Sequence, residues 1–279
     1  MIERLYRLSP YKTSLLLGMM GLNFFLTGID VFIAHSQNDF FRWEVIPLVF
    51  TPLAVLAILI QLIFPKPVFS KRVFQVVMWV GVLVGVLGTF FHLTGNAISG
   101  KESYYNLLVA GSPVAAPVAF AGISCYALAS RHYHGASRRS KLLILVGLGF
   151  LGAVLAAYFD HARLGFKPIY TLIPLVSGTL AALSCFYMAD HQTNRLETTS
   201  FMVILALNMF VGLLGFGFHI AGNLAGTQTV VWARFLYRNP VMGPLLFCNL
   251  ALLGAISILP ELQRLSEGEH HKSIQSAQL

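Results

Sequence analysis

The chain has 279 residues, of which 56% are hydrophobic and only 11% are charged, and its mean hydropathy is +0.72. About a quarter of the residues of a soluble domain are charged, so this composition excludes a soluble enzyme, a disordered chain and a nucleic-acid binder. The net charge of +8 does not indicate a nucleic-acid partner, because the basic residues lie in short loops between long apolar runs. The composition predicts an all-α, polytopic membrane protein.

Eight apolar stretches are each long enough to cross a bilayer, whose hydrocarbon core needs about 20 helical residues. Helices are expected because a backbone exposed to lipid must satisfy its own hydrogen bonds. We expect eight transmembrane helices near residues 14–35, 45–64, 74–96, 106–129, 142–162, 168–188, 201–222 and 240–260.

Lysine and arginine are distributed unevenly between the two sides of this topology. Thirteen of the nineteen fall on the side that both termini share with the loops after the even-numbered spans. The positive-inside rule then predicts that both termini are cytoplasmic and that the chain crosses the inner (plasma) membrane. The polar tail, residues 261–279, is expected to be partly disordered.

The sequence contains an internal repeat, with one copy in each half of the chain. Residues 84–96 read VGVLGTFFHLTGN and residues 211–223 read VGLLGFGFHIAGN, so eight of thirteen positions are identical, where chance gives roughly one or two. The spacing from the first copy to the second is called the repeat offset below, and it also aligns Pro113 and Pro117 with Pro240 and Pro244. We expect two pseudo-symmetric four-helix units in parallel orientation, residues 1–130 and 142–260, joined by a basic cytoplasmic linker, residues 131–141.

Four histidines lie near the outer ends of the odd-numbered spans at a similar depth: His35, His92, His161 and His219. His92 and His219 occupy the same repeat position, and the other two match after one inserted residue. Imidazole is the commonest ligand of haem iron and of first-row metals, and facing helices of a bundle often supply a pair. The pattern predicts that these four residues hold haem b or a transition metal (copper, iron or zinc). They could do so as two pairs, His35 with His92 and His161 with His219, or His92 and His219 could form one site with Asp160 at the pseudo-twofold axis. The alternative is four interfacial side chains bound to loop carbonyls or water.

Other polar residues lie close to the histidines. Asn96 and Asn223 follow their histidines by four residues and could orient them or cap the helix. Asp30 and Asp160 are the only carboxylates inside apolar runs, so each needs a partner or a proton. A carboxylate beside imidazoles favours a metal-ion site over a haem with two axial histidines.

Glycines recur at helical spacing on the histidine faces of the third and seventh spans: Gly85, Gly88, Gly212 and Gly215. Such a stripe leaves room for a flat macrocycle, and it equally allows two helix backbones to approach closely. Both interpretations stay open from the sequence.

Two four-helix units with paired histidines near one face resemble the general layout of haem A synthases and of some membrane b-type cytochromes. The resemblance covers architecture and transfers no residue roles. One hypothesis is a redox protein that exchanges electrons with quinol or a periplasmic partner. The others are a metal-ion binding or transport protein, and a structural subunit of a larger membrane complex without a cofactor. No sequence motif specifies a reaction, so whether the protein is an enzyme stays open.

Overall fold

The structure is a computed structural model that describes residues 6–36, 39–98, 104–191, 194–225, 227, 230–237 and 239–259. Within these ranges the chain forms helices and no β-strand. Short 3-10 turns, Tyr6–Tyr11 and Ile169–Leu172, precede the first and seventh helices. The helices are α1 (Lys12–His35), α2 (Val45–Ile63), α3 (Val68–Ile98), α4 (Tyr104–Ala110), α5 (Ala115–His132), α6 (Gly135–Ala162), α7 (Ile173–Asp190), α8 (Arg195–Leu224), α9 (Val231–Tyr237) and α10 (Leu245–Ser257). The tail predicted to be disordered, residues 261–279, lies outside the described residues.

Six helices are long and apolar enough to cross a membrane: α1, α2, α3, α6, α7 with the turn before it, and α8. They coincide with the predicted first, second, third, fifth, sixth and seventh spans. The chain is therefore all-helical in its described part and has the helices of a multi-pass membrane protein.

The predicted fourth and eighth spans differ from the structure. The fourth is interrupted, because α4 ends and α5 begins on either side of Pro113. Proline lacks an amide proton and disfavours a helical conformation in the residue before it. For the same reason α10 begins after Pro240 and Pro244 and has 13 residues, about 20 Å of helix. That the chain crosses the membrane eight times stays a prediction.

The basic segment 131–141, expected to be a linker, is largely helical. α5 continues to His132 and α6 begins at Gly135, so only two residues separate them. The backbone φ of Gly135 is +56°, a conformation that glycine adopts at little cost. The sharp turn at this glycine lets the basic residues that follow enter the first turns of α6.

The start of α8 shows how the local sequence sets a helix end. The Asn194 side chain accepts a hydrogen bond from the backbone N–H of Glu197 at 3.0 Å. In return the Glu197 carboxylate accepts the backbone N–H of Asn194 at 2.8 Å. This reciprocal pair is a capping box, which satisfies two donors that the first helical turn would leave unpaired.

The helices pack as two rings of four. α1, α2, α3 and α5 contact one another in sequence and close on themselves, and α6, α7, α8 and α10 do the same. The first set is called the first ring below and the second set the second ring. The rings meet where α5 packs on α6 and where α10 packs on α1. The fourth helix of each ring therefore packs on the first helix of the other.

Aromatic side chains fill the inside of both rings and apolar side chains cover the outside. The buried rings of Phe24 and Phe120 have centroids 6.3 Å apart, as do those of Phe150 and Phe247. On the outside, Phe69 is 73% exposed and Val176 is 70% exposed. Because an apolar surface of this extent is unfavourable in water, the outer faces of the helices are suited to contact with a lipid bilayer.

Candidate functional site

The four predicted histidines form two pairs at the same end of the helices. The ring centroids of His35 and His92 lie 6.4 Å apart, and those of His161 and His219 also lie 6.4 Å apart. The first pair joins α1 to α3 in the first ring, and the second joins α6 to α8 in the second ring. We call them the first and the second histidine cluster. The structure therefore places one pair in each ring.

Each histidine of the repeated motif contacts a proline carbonyl. Nδ1 of His92 lies 3.0 Å from the carbonyl oxygen of Pro113, and Nδ1 of His219 lies 2.7 Å from that of Pro240. A carbonyl oxygen only accepts hydrogen bonds, so Nδ1 carries the proton and donates it. Nε2 of the neutral ring then has a free lone pair. This tautomer can bind a metal ion through Nε2.

His35 is held in a similar way by backbone. Its Nδ1 lies 3.2 Å from the carbonyl oxygen of Glu44, the residue before α2. The interaction directs a ring nitrogen of His35 to a fixed acceptor, as in the repeated motif. Both members of the first histidine cluster are therefore oriented by backbone carbonyl groups of the segments that lead into α2 and α5.

The two asparagines bind the residue before each proline. The Asn96 amide donates to the carbonyl of Ser112 at 2.9 Å and accepts the backbone N–H of Ser112 at 2.7 Å. Asn223 makes the same two hydrogen bonds with Asn239, at 3.1 Å and 3.0 Å. Both asparagines are buried. In these bonds they neither contact their histidines nor cap their own helices; they fix the chain beside the carbonyl that each histidine binds.

Replacing Asn223 by alanine is expected to lower the free energy of unfolding by about 2 kcal/mol, because the backbone N–H and C=O of Asn239 both lose their partner. Asn223→Asp keeps the acceptor but places a buried carboxylate oxygen against the carbonyl oxygen of Asn239, so its effect is expected to be at least as large. Unfolding of the purified protein by sodium dodecyl sulfate in mixed micelles measures both changes. Wild-type stability of Asn223→Ala would contradict the role of this side chain.

The glycines of the first ring lie against α5. A Cβ atom on Gly85 would lie 2.5 Å from the backbone nitrogen of Ala121 and 2.9 Å from the carbonyl oxygen of Pro117. A Cβ on Gly88 would lie 2.8 Å from Cβ of Pro117. The backbones of α3 and α5 therefore touch at these positions, which favours helix packing and leaves no room for a macrocycle between these two helices.

The glycines of the second ring make the equivalent contacts with α10 and the residue before it. A Cβ on Gly212 would lie 2.6 Å from Sγ of Cys248 and 2.7 Å from the carbonyl oxygen of Pro244. A Cβ on Gly215 would lie 3.1 Å from Cβ of Pro244. In both rings the glycine contact sets the distance between the histidine helix and the segment that supplies the proline carbonyl.

The two carboxylates belong to one polar group near the second histidine cluster. Asp160 interacts electrostatically with Arg163 and His219, and Asp30 interacts electrostatically with Asp160. The Arg163 guanidinium donates to the carbonyl of Gly111 at 3.2 Å and to the carbonyl of Val109, near the end of α4. Arg163 thus ties the second ring to the first beside this carboxylate pair.

Several interaction partners in the site were not identified from the sequence. The carbonyls of Pro113 and Pro240 are backbone groups, so residue type did not mark them as histidine partners, although the repeat marked both positions. Arg163 follows Asp160 by three residues, which is helical spacing and could have indicated an interaction.

Neither histidine pair has a third protein ligand in the described part of the chain, where no group of three or more His, Cys, Asp or Glu could hold a metal ion. Each cluster therefore offers two imidazoles. No family model, curated protein or solved structure matches this chain.

Proposed function

We propose that the protein is an integral membrane redox protein in which each histidine cluster holds a haem b. The spacing of the rings carries the proposal. A first-row metal lies about 2 Å from an imidazole nitrogen, so two rings on opposite sides of one ion have centroids roughly 6 Å apart. The observed separation is 6.4 Å in both clusters. The bond from Nδ1 to a proline carbonyl leaves Nε2 of His92 and His219 free to bind iron.

The number of ligands favours haem over a bare ion. A structural zinc ion takes four protein ligands, whereas a haem brings four ring nitrogens of its own and needs only two axial ligands. Each cluster offers two. Metal-ion binding, with copper, iron or zinc, is the second candidate, and the position of Asp160 beside His219 favours it.

We also infer that the chain crosses the membrane eight times as two parallel four-helix units related by a pseudo-twofold axis. Two observations support this. The hydrogen bonds of His92 and Asn96 recur at the repeat offset in His219 and Asn223. The contacts between the rings are also reciprocal, with the fourth helix of each on the first helix of the other.

The excess of basic residues on one side supports cytoplasmic termini and an inner-membrane location. α1, α3, α6 and α8 then all end at the outer face, and both histidine clusters lie there. In this position the clusters can exchange electrons with quinol in the outer leaflet or with a periplasmic redox partner. The protein acts alone or as a subunit of a larger membrane complex.

The absorption spectrum and iron content of the protein, purified in mild detergent, test the haem proposal. We expect a Soret band and two irons per chain. His92→Ala and His219→Ala are each expected to lose about half of the band, and the double variant all of it, because each removes one axial ligand. His191→Ala is the matched control, because this exposed histidine lies at the opposite end of the helices.

A colourless, iron-free preparation would contradict the haem proposal. Bound copper or zinc without a Soret band, lost in the same histidine variants, would support metal-ion binding instead. Unchanged assembly and activity after replacement of all four histidines would favour the structural-subunit hypothesis.

A further inference from the structure

A polar pocket lies at the end of the first ring opposite the histidine cluster. It has a volume of about 270 Å³ and is lined by the end of α2, the start of α3 and the end of α5. Lys71 lies about 30 Å along α3 from His92, so the pocket and the histidines face opposite sides. The lining residues are Gln61, Lys71, Phe74, Gln75, Arg131 and His134.

The described residues that line this pocket carry positive charge. Lys71 and Arg131 come from different helices, and His134 follows the end of α5. Among the described residues that line the pocket there is no carboxylate. Within the ranges that the structure describes, the one ion pair within 4.0 Å joins His191 to Asp190 and does not involve these cations. Two cations around one cavity repel each other unless an anion lies between them.

The second ring has the same frame without this charge. Phe74 and its counterpart Phe201, at the repeat offset, are both buried. The four polar lining residues that have a described counterpart are all replaced by less polar ones: Gln61 by Met188, Lys71 by Thr198, Gln75 by Met202 and Arg131 by Ile258. A four-helix ring therefore folds without these polar side chains. Their presence in the first ring indicates that they bind a ligand. This comparison rests on the proposed repeat.

The surface below the pocket changes from polar to apolar along one face of α3. Lys71, Gln75 and Trp79 are spaced by four residues, so their side chains lie one above another. Trp79 is 61% exposed on the lipid side, and tryptophan is enriched at the level of the lipid headgroups. A cation at the helix end, an amide below it and then an indole match the headgroup and first acyl carbons of a phospholipid.

We propose that this pocket binds a phosphate group, carried by an anionic phospholipid of the leaflet at that end. Lys71 and Arg131 bind the phosphate oxygens with charge-assisted hydrogen bonds, and the acyl chains follow the outer face of α3 past Trp79. Basic pockets between transmembrane helices bind anionic headgroups in this way. Free inorganic phosphate has the same chemistry and is the second possible source of the group.

Lipid retention tests the proposal on the full chain, in nanodiscs of phosphatidylcholine with or without phosphatidylglycerol of the same acyl chains. Native mass spectrometry counts the lipids that stay bound. The test variant is Lys71→Thr/Arg131→Ile, which introduces the residues of the second ring. The control is Arg72→Thr/Lys141→Thr, which removes the same charge from two exposed residues outside the pocket.

We expect the wild-type protein to retain phosphatidylglycerol over phosphatidylcholine, and the test variant to lose roughly fivefold in relative affinity for each cation removed. The control variant is expected to change by less than twofold. Equal retention of the two lipids by the wild-type protein, with no binding of inorganic phosphate, would overturn the proposal. Equal losses in the test and control variants would also overturn it.

Addition of millimolar inorganic phosphate distinguishes the two sources. Phosphatidylglycerol that stays bound identifies a lipid site. Displacement by phosphate, together with phosphate binding in phosphatidylcholine alone, identifies a site for the free anion. The absorption spectrum of the wild-type protein in the same nanodiscs separates this proposal from the redox proposal. A colourless protein that still retains phosphatidylglycerol contradicts only the haem, and a coloured one that does not retain it contradicts only the phosphate site.

Discussion

Gly85→Ala is expected to lower the free energy of unfolding by about 3 kcal/mol, although it adds only one methyl group. The added Cβ would lie 2.5 Å from the backbone nitrogen of Ala121 and 2.9 Å from the carbonyl oxygen of Pro117. No side-chain rotation relieves a contact with backbone atoms, so α3 and α5 must separate. A packed helix pair accommodates such a shift poorly.

The matched control is Gly95→Ala on the same helix. No atom lies within 4 Å of the Cβ position at Gly95, so the substitution meets open space. Alanine is a better helix former than glycine by up to about 1 kcal/mol, and Gly95→Ala is expected to leave stability unchanged or to raise it slightly. Unfolding in mixed micelles compares the two variants, and equal stabilities would contradict the glycine contact between α3 and α5.

Gly85→Ala also tests whether the packing of α3 on α5 affects the histidine site. If α5 moves away from α3, the carbonyl of Pro113 moves away from Nδ1 of His92, and the ring loses the acceptor that fixes its tautomer. Under the haem proposal Gly85→Ala therefore weakens the Soret band of the first cluster, whereas Gly95→Ala does not. A stability loss with an unchanged spectrum would separate the packing role from any role in the site.

Much of the helical frame could be predicted from the sequence, because long apolar runs have one stable conformation in lipid. The six long helices were predicted in this way, but the interruption of the fourth span at Pro113 was not. A proline in the first turn of a helix is harmless, whereas the same proline between two helices interrupts a span. Hydropathy does not distinguish these cases, since the segments on both sides of Pro113 are apolar apart from Ser112.

The candidate site was predictable in its residues and not in its partners. The repeat placed four histidines at one level, but sequence spacing does not give the distance between helices. The choice between two pairs, His35 with His92 and His161 with His219, and one site shared by both halves therefore required the structure. The glycines illustrate the same limit: the side chain of Pro117 lies against Gly88 although the two belong to different helices, and no local pattern identifies such a neighbour.

The two rings differ in one contact that tests the repeat directly. In the first ring a Cβ on Gly28 of α1 would lie 2.4 Å from Cγ2 of Thr51 on α2. In the second ring the small residue is on the other helix, since a Cβ on Gly178 of α7 would lie 2.6 Å from Cγ2 of Val154 on α6. With the one-residue insertion that aligns His35 with His161, Gly28 corresponds to Val154, and at the repeat offset Thr51 corresponds to Gly178. In each ring a glycine therefore contacts a β-branched residue. The glycine is on the first helix in the first ring and on the second helix in the second ring.

Exchanging the first pair is therefore expected to recreate the contact of the second ring. Gly28→Val alone is strongly destabilising, because the whole Thr51 side chain lies within 3.3 Å of the new Cβ and no rotamer avoids the overlap. Thr51→Gly alone leaves a cavity and puts a glycine inside a helix, which costs about 1 kcal/mol. The double variant fills the cavity with the new valine, so we expect a favourable coupling energy of about 2 kcal/mol.

The wild-type protein, the two single variants and the double variant are compared by unfolding in mixed micelles. A control cycle replaces Thr51→Gly with Thr179→Gly. Thr179 is an exposed helical threonine that donates to the carbonyl four residues before it at 2.7 Å, as Thr51 does. It lies in the second ring, away from Gly28, so its effect is expected to add to that of Gly28→Val. Additive effects in the test cycle as well would mean that the two positions do not exchange roles between the rings, and the proposed repeat would lose this support. A coupling confined to Thr51 would show that the interface between α1 and α2 accepts the arrangement found between α6 and α7, as the proposed repeat predicts.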